Sequence, residues 1–330
     1  MSETVVVIHN PVDPRAAADE QDVLTQASQV ARALEESGFR VRIMPFDHRV
    51  EAYAQELKHL KPLCAFNLVE SVDGDGRLIH WACSYLDHLK IPYTGAGADA
   101  MFLTSNKVLA KKWMRCSGIP TPAWLMPGDR GRCACPFPSE YIVKALWEEA
   151  SIGMDETSVV TALSMDELEA LVNTRAGRMG HECFAERFID GREFNLSVLA
   201  GVQGPQILPP AEIRFDLPAG KKKIVDYRAK WDEKSPEYQA TNRSFDFEPG
   251  DATLLEGLKS LALECWQIFE LKGYARVDFR VDDEGNPFVL EINANPCISP
   301  DSGFVAAAER AGISFRELVT RIVADATGGR

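Results

Sequence analysis

The stretch "YARVDFRVDDEGNPFVLEINANP", residues 274–296, constrains the fold more than any other part of the chain. Two runs of alternating apolar and polar residues flank a turn at Asp283–Asn286, the pattern of an antiparallel hairpin, and Pro296 ends the second run. Alternation predicts Phe288, Leu290 and Ile292 on one apolar face, with Glu291 and Asn293 on the other. On the first run Arg276 and Asp278 share a face. Two carboxylates, an amide and a guanidinium on one side of a hairpin are costly to bury unless something neutralises the carboxylates. A hard cation with oxygen ligands would do so, with Arg276 facing phosphate oxygens. Spacing alone serves a solvent-facing strand equally well.

The chain around this hairpin reads as mixed α/β. Thr4–Ile8 is a short β-branched strand, and Val23, Ala27, Val30 and Leu34 recur at helical spacing up to Gly38. "FRVRIMPF" supplies the next strand and "LCAFNLVE" another, so the opening predicts a parallel sheet with covering helices. This Rossmann-like opening lacks, in the turn after the first strand, "HNPVDPRAAADE", the G-x-G-x-x-G that close approach to a pyrophosphate needs, which argues against dinucleotide binding here. A helix is expected over 101–122, stopped by Gly118, Pro120 and Pro122. Then come the strand "YIVKA", a strand near 157–161, a helix from Met165 to Asn173 and the strand "HECFAERFI". "EFNLSVLAG" and the hairpin strands follow, and a helical pattern over 304–326 is interrupted at Gly312. The expected boundaries are 1–100 for the N-terminal unit, 101–185 for a small central α+β unit and 186–330 for a C-terminal unit.

Composition excludes several functions. A formal net charge of −13 argues against a nucleic-acid surface, and no apolar run reaches the ~20 residues of a membrane span. "MSETVVVIHN" has no basic leader, and the eight cysteines lack a repeated C-x-x-C, with Cys133 and Cys135 the only close pair. Reduced thiols in a cytoplasmic protein are expected.

Four further features carry chemistry. Lys107 opens the helical run "SNKVLAKKWMRC", and Lys144 interrupts an apolar strand just before the turn "LWEEASIGM". Lysine suits phosphate as a compact charge, and backbone N–H groups of a glycine-containing turn can cover phosphates. "CFAERFIDGREF" places Glu186 at a strand end and Glu193 beyond Gly191, a connector suited to a purine and its ribose. The run Lys221–Lys223 is expected to be a solvated loop. Each of these features has an ordinary structural explanation when taken alone.

Together, their order and spacing resemble the ATP-grasp superfamily, and within it the D-alanine–D-alanine ligase family. The similarity is carried by "FNLVESVDGDGRLIHWACSYLDHLKIPYTGAGADAMFLTSNKVLAKKWMRCSGIPTP", by "VDF" ahead of "EINAN", and by "SGFVAAAERAGISFRELV", and it covers nearly the whole chain. The resemblance implies an ATP-grasp fold and an ATP-dependent carboxylate–amine ligase of small amino-acid-like substrates, acting through an acyl phosphate as a homodimer. It implies that Lys107 and Lys144 contact ATP phosphates. Glu186 and the Arg187, Phe188 and Ile189 backbone would hold adenine, and Glu193 the ribose. Lys230 would reach the γ-phosphate from a mobile lid at 218–240. Asp278, Glu291 and Asn293 would bind two Mg²⁺, or Mn²⁺ in their place. Arg276, Lys230, Ser302 and Ser151, the serine retained in the glycine loop, would be catalytic, with Ser302 on the acceptor's carboxylate.

The departures cluster on the amino-acid side. The family has Lys-Pro at Lys144–Ala145, two serines at Ala150–Ser151, Lys-Tyr at Lys230–Trp231, Gly at Cys297, and His-Gly around "LVES". They imply retained chemistry with a changed substrate; the alternatives are a true D-alanine–D-alanine ligase and a non-catalytic ATP-binding regulator. Asp19, Glu20, Asp22 and Glu70 are candidates for a substrate ammonium. Cys297 reads as a small residue in a tight turn rather than a nucleophile, because acyl transfer already proceeds through phosphate.

Overall fold

The structure is a computed structural model that describes residues 3–328 except 14–17, 50, 130–134, 149–150, 152, 219 and 233, and the side chains of 18–20. Its first sheet is parallel, ordered β2–β1–β3, from β1 (Thr4–His9), β2 (Arg40–Pro45) and β3 (Cys64–Leu68). β1 and β3 are almost wholly buried, as expected of a sheet covered on both faces. Helix α1 (Ala18–Glu36) lays Val23, Ala27, Val30 and Leu34 against it; α2 (Glu51–Leu60) and α3 (His80–Leu89) pack on its other side.

The helix expected over 101–122 is two helices, α4 (Ala98–Ser105) and α5 (Lys107–Cys116). The break is at Asn106, which is extended (φ −84°, ψ 99°) and whose side chain accepts from Leu109 N–H. An Asn capping its own backbone competes with helix continuation, and α5 therefore starts at Lys107.

A second, antiparallel sheet is ordered β4–β7–β5–β6, from β4 (Trp124–Leu125), β5 (Ser139–Ala145), β6 (Val159–Ala162) and β7 (Cys183–Arg187). Helix α6 (Met165–Met179) covers it through Leu168 and Val172. The third sheet holds β8 (Arg192–Leu199), β9 (Gln206–Ile207), β10 (Ala211–Phe215), β11 (Thr241–Ser244), β12 (Tyr274–Val281) and β13 (Pro287–Asn293). Its order is β11–β10–β8–β12–β13, with β9 beside β8. The lid segment carries the short helices α7 (Tyr227–Trp231) and α8 (Pro236–Gln239). A long helix that the sequence reading did not single out, α9 (Ala252–Ile268), closes the core of this sheet with Leu258, Ala262 and Cys265. The chain ends with α10 (Gly303–Arg310) and α11 (Phe315–Ala326), which share a core with the parallel sheet and α1.

Cys135 is disulfide-bonded, against the expectation of reduced thiols throughout; six other described cysteines are free. Among the described residues no helix is long and apolar enough to cross a membrane.

Candidate active site

The β12–β13 hairpin pairs Arg276 with Asn293 and Asp278 with Glu291. The expected functional groups therefore face each other directly across the strands. Beyond Asp278 the register shifts, so Phe279 opposes Val289 and Leu290 is left over. This bulge corrects the alternation read from the sequence. Val289 and Ile292 go to the core, whereas Leu290 joins Glu291 and Asn293 along a cavity. One extra residue in a strand switches the face of everything beyond it, and such bulges aim side chains at sites.

That cavity, about 880 Å³, is lined by all three sheets' neighbourhoods, and it gathers Lys107, Lys144, Ser151, Glu186, Arg187, Phe188, Ile189, Glu193, Lys230, Arg276, Asp278, Glu291, Asn293 and Ser302. These fourteen residues, predicted from the sequence, therefore reach one space. Arg276 grips Asp278 with two hydrogen bonds of 2.8 Å, and Asn195 Nδ2 donates to Asp278 Oδ1 at 2.8 Å. Lys107 Nζ lies 3.3 Å from Glu291 Oε2. Burial opposes the charge on Glu291, but Lys107, Lys144 and Arg276 outweigh it and hold the carboxyl down at about 2.

Glu186 is occupied differently from the expectation. It is 1% exposed, with Lys144 Nζ 2.5 Å from Oε1 and Lys111 Nζ 2.6 Å from Oε2. Apart from that ion pair, Oε2 has no hydrogen-bond partner. Burial alone would raise this carboxyl; the two ammonium groups overcome it and lower it. Lys111 is fully buried, and burial lowers its own pKa against the pull of Glu186. The sequence reading missed Lys111. Its position four residues after Lys107, on the same helix face, was the available signal. Arg280 was also missed, although it shares the strand face of Arg276 and Asp278. Its Nη2 is 2.7 Å from Glu193 Oε2, and it donates to Lys223 O, tying the ribose candidate to the lid's base.

In the connector, Arg187 N–H donates to Ala123 O at 2.7 Å and Phe188 N–H to Glu140 O at 3.0 Å. Ser151, in the left-handed region at φ 61°, donates from Oγ to Val225 O at 2.8 Å, and Tyr227 N–H donates to Met154 O at 3.3 Å. Loop and lid are thus latched together. Lys230 sits 5.3 Å from the centre of the Trp231 ring. The Lys221–Lys223 run lies at the surface as expected, with Lys221 and Lys223 exposed; Lys221 pairs there with Glu156 and Glu237, and Lys222 with Glu140. Ala150 and the side chains of Asp19 and Glu20 lie outside the described residues.

At the other candidate subsite, Asp22 accepts from Ser299 Oγ at 2.7 Å, from Cys297 Sγ at 3.2 Å and from Gln26 Nε2 at 3.2 Å; Gln26 also donates to Glu70. Burial, with Asp22 beside it, pushes the Cys297 thiol up to about 12, so it remains an S–H donor rather than a nucleophile. Ser302 caps α10 by accepting from Val305 N–H at 3.3 Å.

The donor set suits a hard divalent cation: two carboxylates and an amide opposed on one hairpin, beside cations that now balance their charge. Among the described residues no group of three or more His, Cys, Asp or Glu forms a metal site.

Paired lysines, a latched glycine loop and a carboxylate hairpin around one cavity define an ATP-grasp protein, the class of ADP-forming carbon–nitrogen ligases. The sequence profile "D-ala D-ala ligase C-terminus" matches residues 134–324. A D-alanine–D-alanine ligase of Synechococcus sp. (strain JA-3-3Ab) is 30% identical over 94% of this chain and 90% of its own; one from Methylococcus capsulatus is 34% identical over 78% and 77%. The crystal structure of D-alanine–D-alanine ligase from Bacillus anthracis complexed with ATP superposes with a TM-score of 0.71 at 22% identity, covering 98% of this chain and 97% of that one. The chain belongs to the D-alanine–D-alanine ligase family.

Proposed function

We propose that this protein joins two amino acids through an acyl phosphate at the expense of ATP, with a substrate pair other than two D-alanines. The observation that supports the chemistry is the convergence of Lys107, Lys144, Arg276 and the Asp278–Glu291 pair on one cavity. In this reading the donor's carboxylate oxygen attacks the γ-phosphorus of ATP and ADP leaves. The acceptor's amine then attacks the acyl carbon, phosphate departs, and the amine loses a proton. Asp278, Glu291 and Asn293 would hold Mg²⁺, two ions by resemblance, which supply charge neutralisation on the phosphates. Lys107 and Lys144 position the phosphate chain, and Lys230 approaches it from the lid. Glu186 fixes both Lys144 and Lys111, so its larger contribution is to align those ammonium groups. With Arg187 and Phe188 N–H engaged by backbone, Ile189 supplies the connector's N–H for an adenine ring, and Glu193, steadied by Arg280, faces the ribose. Arg276 stabilises the oxyanion formed when the amine adds. The Ser151–Val225 contact closes the site against water, which would hydrolyse the acyl phosphate.

The changed substrate is supported by Cys297, Glu70 and Trp231 at the amino-acid end of the cavity. A pairwise amino-acid screen for ATP-dependent phosphate release, with product masses read by mass spectrometry, tests both parts. Release only with particular pairs is expected. Efficient synthesis of D-alanyl-D-alanine would overturn the substrate part and leave the ligase chemistry standing. A true D-alanine–D-alanine ligase, the name the relatives carry, is the second reading.

A further inference from the structure

Arg243 lies on β11, an edge strand of the six-stranded sheet, and its side chain lines the cavity together with Arg276, Asp301, Ser302 and Gly303. It owes its place to Gly303. A Cβ built on that residue would stand 3.3 Å from Arg243 Nη2 and 3.5 Å from both Cζ and Nε. The guanidinium therefore lies against the first residue of α10, where any side chain at 303 would crowd it. Burial and the neighbouring Arg276 guanidinium both weigh against its charge, while Asp301 and Tyr238 favour it. It makes no hydrogen bond or ion pair with the described residues.

The surroundings define what it awaits. Arg276 makes two hydrogen bonds to Asp278 and, in the reading above, serves the oxyanion. The N-terminus of α10, capped by Ser302, adds backbone N–H groups that favour an anion. Ser302 and those N–H groups provide for one carboxylate. Arg243, with five N–H donors in a planar fork and a charge it cannot lose, provides for a second. A small neutral acceptor would leave this guanidinium facing nothing.

Resting on the ligase reading above, we infer that Arg243 determines acceptor specificity by binding a side-chain carboxylate, so that the acceptor is an acidic amino acid. The coupling to Gly303 is part of the inference, because it holds the fork beside the acceptor's other carboxylate.

The test uses the intact enzyme with ATP and Mg²⁺, pairing a panel of neutral donors with both enantiomers of aspartate, glutamate and alanine as acceptors. Phosphate release is followed, and the C-terminal residue of each product is read by fragment mass. The expected result is a KM for one acidic acceptor at least about tenfold below that for alanine. Arg243→Gln is expected to raise that KM about 10- to 100-fold, the value of a charge-assisted hydrogen-bonded pair, with little change in the KM for ATP. Gly303→Ala, which leaves Arg243 in place but crowds it, is expected to move the same KM in the same direction. The inference is overturned if alanine is preferred, or if Arg243→Gln weakens acidic and neutral acceptors equally, since that would make it a holder of the α-carboxylate. If no pair releases phosphate, the ligase reading falls and this one with it.

Discussion

Replacing Lys111 with Met probes the part of the site that is least visible in the sequence. The ammonium group of this fully buried lysine sits 2.6 Å from Glu186 Oε2 and donates to Thr121 Oγ1 at 2.8 Å, which in turn donates to Val289 O at 2.8 Å. Met fills a similar volume, so the loss is one of charge. It leaves Glu186 buried with Lys144 as its remaining cation. Breaking a buried pair from one side costs about 3–5 kcal/mol. With an unfolding entropy of about 2.1 cal/mol/K per residue, a chain of 330 residues should lose about 4–7 °C in Tm. The pH dependence carries the sharper test. In the parent, Glu186 is held below its ordinary value near 4.5, so its contribution is present above that pH and lost as pH falls. In the variant, burial raises the carboxyl instead, and the penalty is relieved on acidification. The stability gap between parent and variant should therefore narrow from pH 7.5 to pH 4.5. Adding Glu186→Gln to Lys111→Met should abolish that pH dependence, because no carboxylate then remains at position 186 to titrate. Thermal melts across that pH range measure all of this. A loss under about 1 kcal/mol, or one of equal size at both ends, would refute the argument that charge pairing holds this centre together.

Three further outcomes follow from the same geometry. Asp278→Asn and Glu291→Gln should each reduce phosphate release about a hundredfold or more at saturating substrate while the protein stays folded; full activity in both would remove the hairpin from the metal assignment. Cys297→Ser should keep kcat/KM within about threefold, since the thiol acts as an S–H donor to Asp22 and a hydroxyl can do the same; a loss of a hundredfold would make the sulfur itself a participant. Asn106→Ala should cost about 1 kcal/mol, read by chemical denaturation, because it removes the cap that starts α5 and fixes Lys107 at its first turn; an unchanged midpoint would show that the helix break does not depend on the side chain.

What the chain's order of residues determined was local. The alternation over 274–296 was enough to name the hairpin and the four polar residues facing one another, and the spacing of Val23, Ala27, Val30 and Leu34 was enough to name α1. Resemblance extended this to Lys107, Lys144, Glu186 and Glu193, all of which reach the cavity. Helix and strand periodicity are properties of neighbours in the chain, so they can be read there. Even so, one bulge was enough to send Leu290 to the cavity and Val289 to the core, because a single extra residue reverses strand parity. The tertiary structure alone decided the encounters between distant segments. Lys111 and Lys144 met on Glu186, Gly303 made room for a guanidinium sixty positions earlier, and α10 and α11 returned to the sheet that begins the chain. Burial decides each of these: whether a charged group is solvated, paired or left facing a ligand depends on what the rest of the chain folds around it.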